Sequence, residues 1–206
     1  MSTTRRTLIT AVPLATATTL GSTIAFAESP ETAMAATDGL AANPYDVPAD
    51  YPQAPFGDQV SDAFKNYLRA APYIGTAGLI ADAGFEEAKR LGFRTVINLN
   101  TAEEGATEED GRVREAGLGY VSIEVATKAP TSAEVEAFAG HVNDPENYPI
   151  LVHCVSSNRV GAMWALYRAA TGIPGEIAIQ EGRTVGLKPS REAAVREQLD
   201  LPPLAN

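Results

Sequence analysis

Pro149-Ile-Leu-Val-His-Cys-Val-Ser-Ser-Asn-Arg-Val-Gly161 carries the strongest structural signal in the chain. It reads as an apolar strand, a short polar loop and the start of a helix. Cys154, the single cysteine, lies where the strand ends, and Arg159 closes the loop five positions later. Backbone N–H groups in such a loop can surround an oxyanion, and the dipole of the following helix adds positive potential. The stretch therefore predicts an anion-binding loop whose cysteine acts as a thiolate nucleophile.

The competing interpretation of Cys154 is a small buried hydrophobic residue, which is common for a cysteine at a strand end. That interpretation loses weight because the complete pattern is present: apolar strand, His-Cys, polar loop, arginine and apolar helix. An unpaired cysteine cannot form an intramolecular disulfide, so reactivity gives a better reason for its presence.

Strands and helices alternate along the rest of the chain. Apolar and β-branched runs predict strands at 73–80, 93–99, 120–125 and 148–153. Apolar residues at helical spacing predict helices at 56–67, 83–91, 108–116, 160–171, 176–185 and 191–199, with a further helix opened by the capping box Thr131-Ser-Ala-Glu134. This order predicts a three-layer α/β fold, in which a largely parallel central sheet is flanked by helices on both faces.

The N-terminus predicts an export signal. Arg5 and Arg6 precede an uncharged stretch that ends in Ala25-Phe26-Ala27, a pattern that resembles a twin-arginine signal with a small-x-small cleavage site. The stretch is too weakly apolar to favour a stable membrane anchor. We expect an export signal at 1–27, a flexible lead-in at 28–54 and one domain at 55–206, in a periplasmic or secreted protein.

The charge balance limits the partners. The chain has 16 basic and 26 acidic residues, and loss of residues 1–27 would leave 14 basic residues and a net charge of about −12. Such an acidic chain is not expected to bind nucleic acid. His141 and His153 are separately placed and belong to no paired ligand motif, so neither a metal nor another cofactor is expected. The expected partner is a small anionic substrate, and the oligomeric state is left open.

Three motifs together resemble a known superfamily. Val152-His-Cys-x4-Arg-Val-Gly161, Gly92-Phe-x-Thr-Val-Ile-Asn-Leu99 and Gly117-Leu-Gly-Tyr-Val121 are similar to motifs of the cysteine-dependent dual-specificity and tyrosine phosphatases. The similarity is greatest to their bacterial branch of beta-lactamase-hydrolase-like phosphatase domains, and it covers about 73–187. The resemblance implies that fold, with Cys154 as nucleophile and Arg159 as the clamp on the anion.

The other loop residues have supporting roles in this interpretation. Backbone N–H groups are expected from Val155, Ser156, Ser157, Asn158 and Val160. His153 is expected either to fix the loop by a side-chain hydrogen bond or to be a hydrogen-bonded core histidine. Glu103 and Glu104, which follow the 93–99 strand, either rim the site or form part of the solvated surface.

The loop departs from the superfamily pattern in three ways. Four residues separate Cys154 from Arg159 instead of the usual five, as in rhodanese-type sulfurtransferases. The customary loop glycine is absent, and Asn158 is the residue expected to adopt the left-handed conformation in its place. Val160 replaces the hydroxyl residue that usually follows the arginine.

The general acid is a further departure from the superfamily pattern. The superfamily places an aspartate about thirty residues before the cysteine, but segment 123–130 contains no Asp and only one carboxylate, Glu124. Glu124 is therefore a candidate acid, with an exposed strand-edge charge as the alternative. Three hypotheses follow: a cysteine phosphatase, a sulfurtransferase that carries a persulfide on Cys154, and a catalytically degenerate anion-binding module.

Overall fold

The computed structural model of the protein describes residues 43–45 and 52–204. They form five strands and six helices. The strands are β1 (Leu68–Ala71), β2 (Ile74–Ala77), β3 (Thr95–Asn98), β4 (Gly119–Ser122) and β5 (Ile150–His153). The helices are α1 (Asp82–Arg90), α2 (Ala106–Glu115), α3 (Ser132–Val142), α4 (Asn158–Ala170), α5 (Gly175–Val185) and α6 (Pro189–Gln198).

Strand β5 lies at the centre of the sheet. The strand order is β1-β2-β5-β3-β4, and β2, β5, β3 and β4 are parallel, whereas β1 pairs antiparallel with β2. All four residues of β5 are buried, as expected for a strand covered on both faces. Ala77, His153 and Asn98 are aligned at the carboxyl ends of three adjacent strands. The loops that follow these strands therefore meet at one edge of the sheet.

The two faces of the sheet support separate cores. Leu151 packs with Phe85 of α1 and Val113 of α2, whereas its neighbour Val152 packs with Trp164 of α4 on the opposite face. Helices α3, α5 and α6 also contribute buried residues to the second core. The three-layer α/β fold predicted from the sequence is confirmed.

The other predicted elements are present, the strands with shorter bounds and the helices with bounds that agree within two residues, but the first predicted helix is wrong. Within 56–67 the chain forms a 3-10 turn at Gly57–Gln59 and no α-helix. Phe64 instead makes a β-bridge with Ile80, and the strand that follows, β1, was not predicted. Backbone pairing with the segment that follows β2 has overridden the local helical spacing, because tertiary contacts outweigh weak propensities.

The capping box at the start of α3 is confirmed. Thr131 Oγ1 accepts a hydrogen bond from Glu134 N at 3.3 Å, and Glu134 Oε2 accepts one from Thr131 N at 2.5 Å. This reciprocal pair satisfies two backbone donors that the helix itself cannot use.

The predicted export signal and most of the predicted lead-in lie outside the described residues. Ala54, at the end of the lead-in, is 2% exposed and donates its N–H to Pro72 O at 2.9 Å. Among residues 43–45 and 52–204, no helix is both long and apolar enough to span a membrane.

Helices α4 and α5 approach each other closely through glycines. A Cβ on Gly161 would lie 2.1 Å from Leu187 N and 2.6 Å from Gly182 O. Both neighbours are backbone atoms, which cannot move aside as a side chain could. Gly161 is therefore required for the close contact that holds the first turn of α4 against the turn between α5 and α6.

Gly161→Ala is expected to lower the free energy of unfolding by about 3 kcal/mol, the upper end of the range for overpacking. The matched control is Gly140→Ala on α3, where a Cβ would meet nothing within 4 Å. That change is expected to leave stability unchanged or to raise it by about 0.5–1 kcal/mol, because alanine favours a helix over glycine. Urea denaturation of both variants measures the difference, and equal stabilities would contradict the packing argument.

Candidate active site

Cys154 lies immediately after β5, at the carboxyl edge of the parallel strands. It is 1% exposed, whereas Val155 is 47% exposed. Leu99 N donates to His153 O at 2.9 Å and Leu79 N donates to Val155 O at 3.1 Å, so the loops after β3 and β2 hold the start of the cysteine loop. Ligands of open α/β sheets bind at this edge.

The left-handed residue of the loop is Ser157, with φ of 61° and ψ of −8°. The expectation that Asn158 takes this conformation is wrong, because Asn158 is already the first residue of α4. Its side chain acts elsewhere: Oδ1 accepts from Lys188 N at 2.8 Å and Nδ2 donates to Ser190 Oγ at 3.0 Å. Asn158 therefore joins the cysteine loop to the turn between α5 and α6.

The backbone of the loop offers a run of hydrogen-bond donors. Within the part of the chain that the structure describes, no acceptor pairs with the N–H groups of residues 155–160, and the first amide used by the helix is Gly161 N, which donates to Ser157 O at 2.8 Å. Most backbone N–H groups in folded proteins are paired. A sequence of six consecutive unused donors is typical of an anion-binding loop.

Arg159 is 8% exposed and is held from two sides. Its Nη1 donates to Leu99 O at 3.0 Å and to Glu104 Oε2 at 2.5 Å, and its Nη2 donates to Glu104 Oε1. A guanidinium has five N–H groups. These contacts use three of them, so the Nε–H and one Nη2–H along the other edge have no acceptor among the described residues.

Glu104 is positioned by a 3-10 turn at Ala102–Glu104, which follows β3. Its Oε2 also accepts from Thr101 N at 3.0 Å, and Gly105 ends the turn with φ of 93°. The hydrogen bond from Arg159 outweighs partial burial and lowers the pKa of Glu104 to about 2. Glu104 is therefore a carboxylate at neutral pH, and it holds Arg159 instead of donating a proton.

Glu104 should stabilise the folded protein in a defined pH range. Its pKa is lowered from 4.5 to about 2 on folding, so the contribution is complete above about pH 4.5 and is lost as pH falls through about 2. The measurement is the difference in melting temperature between the native protein and Glu104→Gln, from pH 7 to 2. If the melting temperatures of the two proteins were already equal at about pH 5, the result would contradict the ion pair.

His153 bonds to α2 and not to the cysteine loop. Its Nε2 lies 2.8 Å from Glu109 Oε1, which also accepts from Asn98 Nδ2 at 2.8 Å. Asn98 Nδ2 lies 3.1 Å from the hydroxyl of Tyr120 as well. This buried network fixes the ends of β3 and β5 beside the loop. No sequence motif singled out Glu109, although Val113, one helical turn later, marks the buried face of α2.

Glu124 has no structural support as a general acid. It is exposed between the buried residues Ile123 and Val125, and no hydrogen bond or ion pair in the described chain joins it to Cys154 or Arg159. Its catalytic role remains a prediction without a supporting contact. Val160, in the position of the usual hydroxyl residue, is buried in the core.

Arg191 of α6 directly follows Ser190, which accepts from Asn158, and no motif in the sequence singled it out. Its Nη1 donates to Thr127 O at 2.5 Å and to Lys128 O at 3.1 Å, so it fastens segment 123–130 to α6. Burial, followed by repulsion from Arg159, lowers the pKa of Arg191. The charges of Arg159 and Arg191 therefore interact. No cluster of three or more His, Cys, Asp or Glu that could hold a metal occurs in the described ranges.

A cysteine loop at the carboxyl edge of a parallel sheet, followed by an arginine on a buried helix, defines the architecture of a cysteine phosphatase. The family described as a DSP-PTPase phosphatase fused to NAD+ kinase matches residues 59–196, about two thirds of the chain. The chain belongs to this family. No curated protein matches it at a significant level.

Solved structures agree with this assignment. A DUF442 protein from Shewanella putrefaciens CN-32, described as a candidate phosphatase, is 26% identical over 66% of this chain and 89% of its own, with a TM-score of 0.53. TpbA from P. aeruginosa, crystallised with phosphotyrosine, is 18% identical over 68% and 98%, with a TM-score of 0.52. The catalytic core of the PP-IP phosphatase SIW14 from S. cerevisiae is 18% identical over 68% and 87%, with a TM-score of 0.56.

These matches confirm the superfamily resemblance and the fold. They support a hydrolase of the cysteine phosphatase type. They give no support to the sulfurtransferase hypothesis, and the export signal remains a prediction.

Proposed function

We propose that the protein hydrolyses a small phosphate monoester, with Cys154 as nucleophile and Arg159 as the clamp on the phosphoryl oxygens. The observation that carries the proposal is the fixed guanidinium of Arg159. Glu104 and Leu99 O hold one side of it, and its Nε/Nη2 edge remains available for two oxygens of one phosphate. Arginine suits this role because its planar fork pairs with two oxygens at once.

In the first step the Cys154 thiolate attacks phosphorus. A sulfur–phosphorus bond forms while the bond from phosphorus to the ester oxygen breaks, and the leaving oxygen is released as an alcohol or phenol after it gains a proton. Charge spreads over the three equatorial oxygens in the transition state. In this mechanism Arg159 and the unused N–H groups of residues 155–160 stabilise that charge.

In the second step water attacks the phosphorus of the thiophosphate. The sulfur–phosphorus bond breaks, inorganic phosphate leaves and the thiolate is restored. Only a phosphate ester and water are consumed, so the cycle requires no oxidant or reductant from outside. The loop that binds the first phosphoryl group also holds it during this hydrolysis, since the group stays attached to Cys154.

The test is hydrolysis of p-nitrophenyl phosphate by the purified protein, with vanadate as inhibitor. An aryl phosphate is a suitable probe because TpbA, which has the same fold, binds phosphotyrosine. Activity that vanadate abolishes supports the proposal. A parallel assay of sulfur transfer from thiosulfate to cyanide separates the alternatives: transfer without phosphatase activity would favour the sulfurtransferase, and phosphate binding without either activity would favour the degenerate binding module.

The rate is expected to depend steeply on the leaving group. Segment 123–130 has no Asp, Glu104 is ionised at neutral pH and Glu124 is exposed. Without a placed general acid the leaving oxygen departs unprotonated, and the loss is on the order of 10²–10⁴-fold for a poor leaving group. The measurement is kcat/KM for a series of aryl phosphates from p-nitrophenyl to phenyl phosphate. A flat series would show that some group does protonate the leaving oxygen.

A further inference from the structure

Arg191 is a partly buried cation without an acidic partner. Three other arginines in this part of the chain each pair with a glutamate. They are Arg168 of α4, Arg183 of α5 and Arg196 of α6. The hydrogen bonds of Arg191 instead go to two backbone carbonyls, and within the described residues no carboxylate lies in ion-pair range of it. Removing a cation from water without a counter-ion is unfavourable. An oxyanion at Arg191 would supply the missing counter-charge.

The free donors of Arg191 suit an oxyanion. Both of its hydrogen bonds come from Nη1, so the Nε–H and the two Nη2–H groups have no acceptor in the described chain. The same Nε/Nη2 edge is free on Arg159. Each arginine thus has one planar edge able to pair with two oxygens of a phosphate or a carboxylate.

Three contacts place Arg191 beside the cysteine loop. Asn158, the residue before Arg159, accepts from Lys188 N and donates to Ser190 Oγ, directly before Arg191 in the chain. Gly186 lies against Ser157 so closely that a Cβ there would be 2.6 Å from Ser157 Cβ. On the side away from the cysteine loop, the guanidinium of Arg191 is bonded to segment 123–130.

Electrostatics agree with this placement. The charges of Arg159, Cys154 and Glu104 all act on the pKa of Arg191. Lys128 and Lys188, whose side chains are exposed, belong to the two segments that flank Arg191. Basic residues therefore flank Arg191 along the chain, although the chain as a whole has a net charge of −10.

We propose that Arg191 binds a second anionic group of the substrate, next to the phosphate held by Arg159 and the cysteine loop. The site would then select molecules with two neighbouring anionic groups, such as a diphosphate or a monoester with a nearby phosphate or carboxylate. This inference rests on the proposed function, because it assumes that the cysteine loop holds the first phosphate. Arg191 is a specificity-determining residue in this scheme.

The experiment compares binding of inorganic phosphate and pyrophosphate by isothermal titration calorimetry. The Cys154→Ser protein is used so that nothing is turned over, and it is compared with Cys154→Ser/Arg191→Gln at one salt concentration. We expect pyrophosphate to bind about 10–100-fold more tightly than phosphate to the first protein, the gain typical of hydrogen bonds to a charged group, and this advantage to be mostly lost in the second. Arg191→Lys, which keeps the charge but not the fork, should retain part of it.

The control is Arg94→Gln, which removes the same charge from an exposed position before β3, at the opposite edge of the sheet. It should keep the pyrophosphate advantage. Equal loss of phosphate and pyrophosphate affinity in Arg191→Gln would mean that Arg191 only raises the potential around the first phosphate, and would overturn the inference. The inference would also be overturned if the Cys154→Ser protein bound phosphate as tightly as pyrophosphate, or more tightly. Absence of any phosphate binding would instead contradict the proposed function, and the inference with it.

Discussion

Cys154→Ser is expected to reduce kcat for p-nitrophenyl phosphate by about 10⁴-fold or more, as the loss of a covalent nucleophile typically does. Serine fits the space of cysteine, but its hydroxyl is not ionised near neutral pH and no neighbouring base is placed to activate it. Glu104 is engaged by Arg159, and no hydrogen bond in the described chain joins His153, whose Nε2 lies against Glu109, to the side chain at position 154.

The variant should otherwise remain intact. Cys154 forms no disulfide, so the exchange of sulfur for oxygen changes little in the packing. We expect an unchanged circular dichroism spectrum and retained phosphate binding. Rapid acid quenching of the native protein during turnover, followed by mass spectrometry, should detect a phosphoryl group on Cys154 and none on the variant. A variant with more than about one tenth of the native activity would contradict nucleophilic catalysis by this residue.

The parts of the site that the sequence predicted are those encoded within one stretch. The apolar run before Cys154, the polar loop and the apolar helix are local signals, and together they place the cysteine and Arg159 at a strand–loop–helix junction. The parallel sheet followed from the alternation of strands and helices. The catalytic roles of both residues remain predictions that the experiments above test.

The parts that the sequence did not predict depend on contacts between distant segments. Glu104 lies 55 positions before Arg159, and Glu109 lies 44 positions before His153. An acidic run in a loop is usually solvated surface, so its composition could not reveal a partner for Arg159. Arg191 is one of several arginines in the final helices, and only the folded chain distinguishes it as the one whose partners are carbonyls.

The wrong prediction of the left-handed residue in the cysteine loop also arises from contacts between distant segments. Asn158 has the better intrinsic preference for that conformation, but its side chain is needed on the turn at Lys188 and Ser190. Ser157 takes the positive φ instead, against Gly186, where there is no side chain to obstruct it. Long-range hydrogen bonds and packing have thus overridden a local propensity within the site.

Arg159→Lys is expected to lower kcat/KM by about 10³–10⁵-fold, the range for an arginine that stabilises the transition state of phosphoryl transfer. Lysine keeps the charge but presents a point charge instead of a planar fork. It cannot bond Glu104, Leu99 O and two phosphoryl oxygens together, as the arginine geometry allows. Loss of a similar size in Arg159→Ala would show that the fork, and not the charge, provides most of the stabilisation.

Glu104→Gln tests whether Glu104 works through Arg159. Glutamine keeps the shape but loses the ion pair, so Arg159 should be less firmly oriented and kcat/KM should fall by about 10²-fold, mainly in kcat. When Glu104→Gln is made in the Arg159→Lys protein, the further loss of kcat/KM should be much smaller, because the guanidinium that Glu104 positions is already gone. The losses of the two single variants therefore will not add. Glu103→Gln removes an adjacent exposed carboxylate and should keep native activity. Additive losses would mean that Glu104 affects the site independently of Arg159, which the bidentate contact argues against.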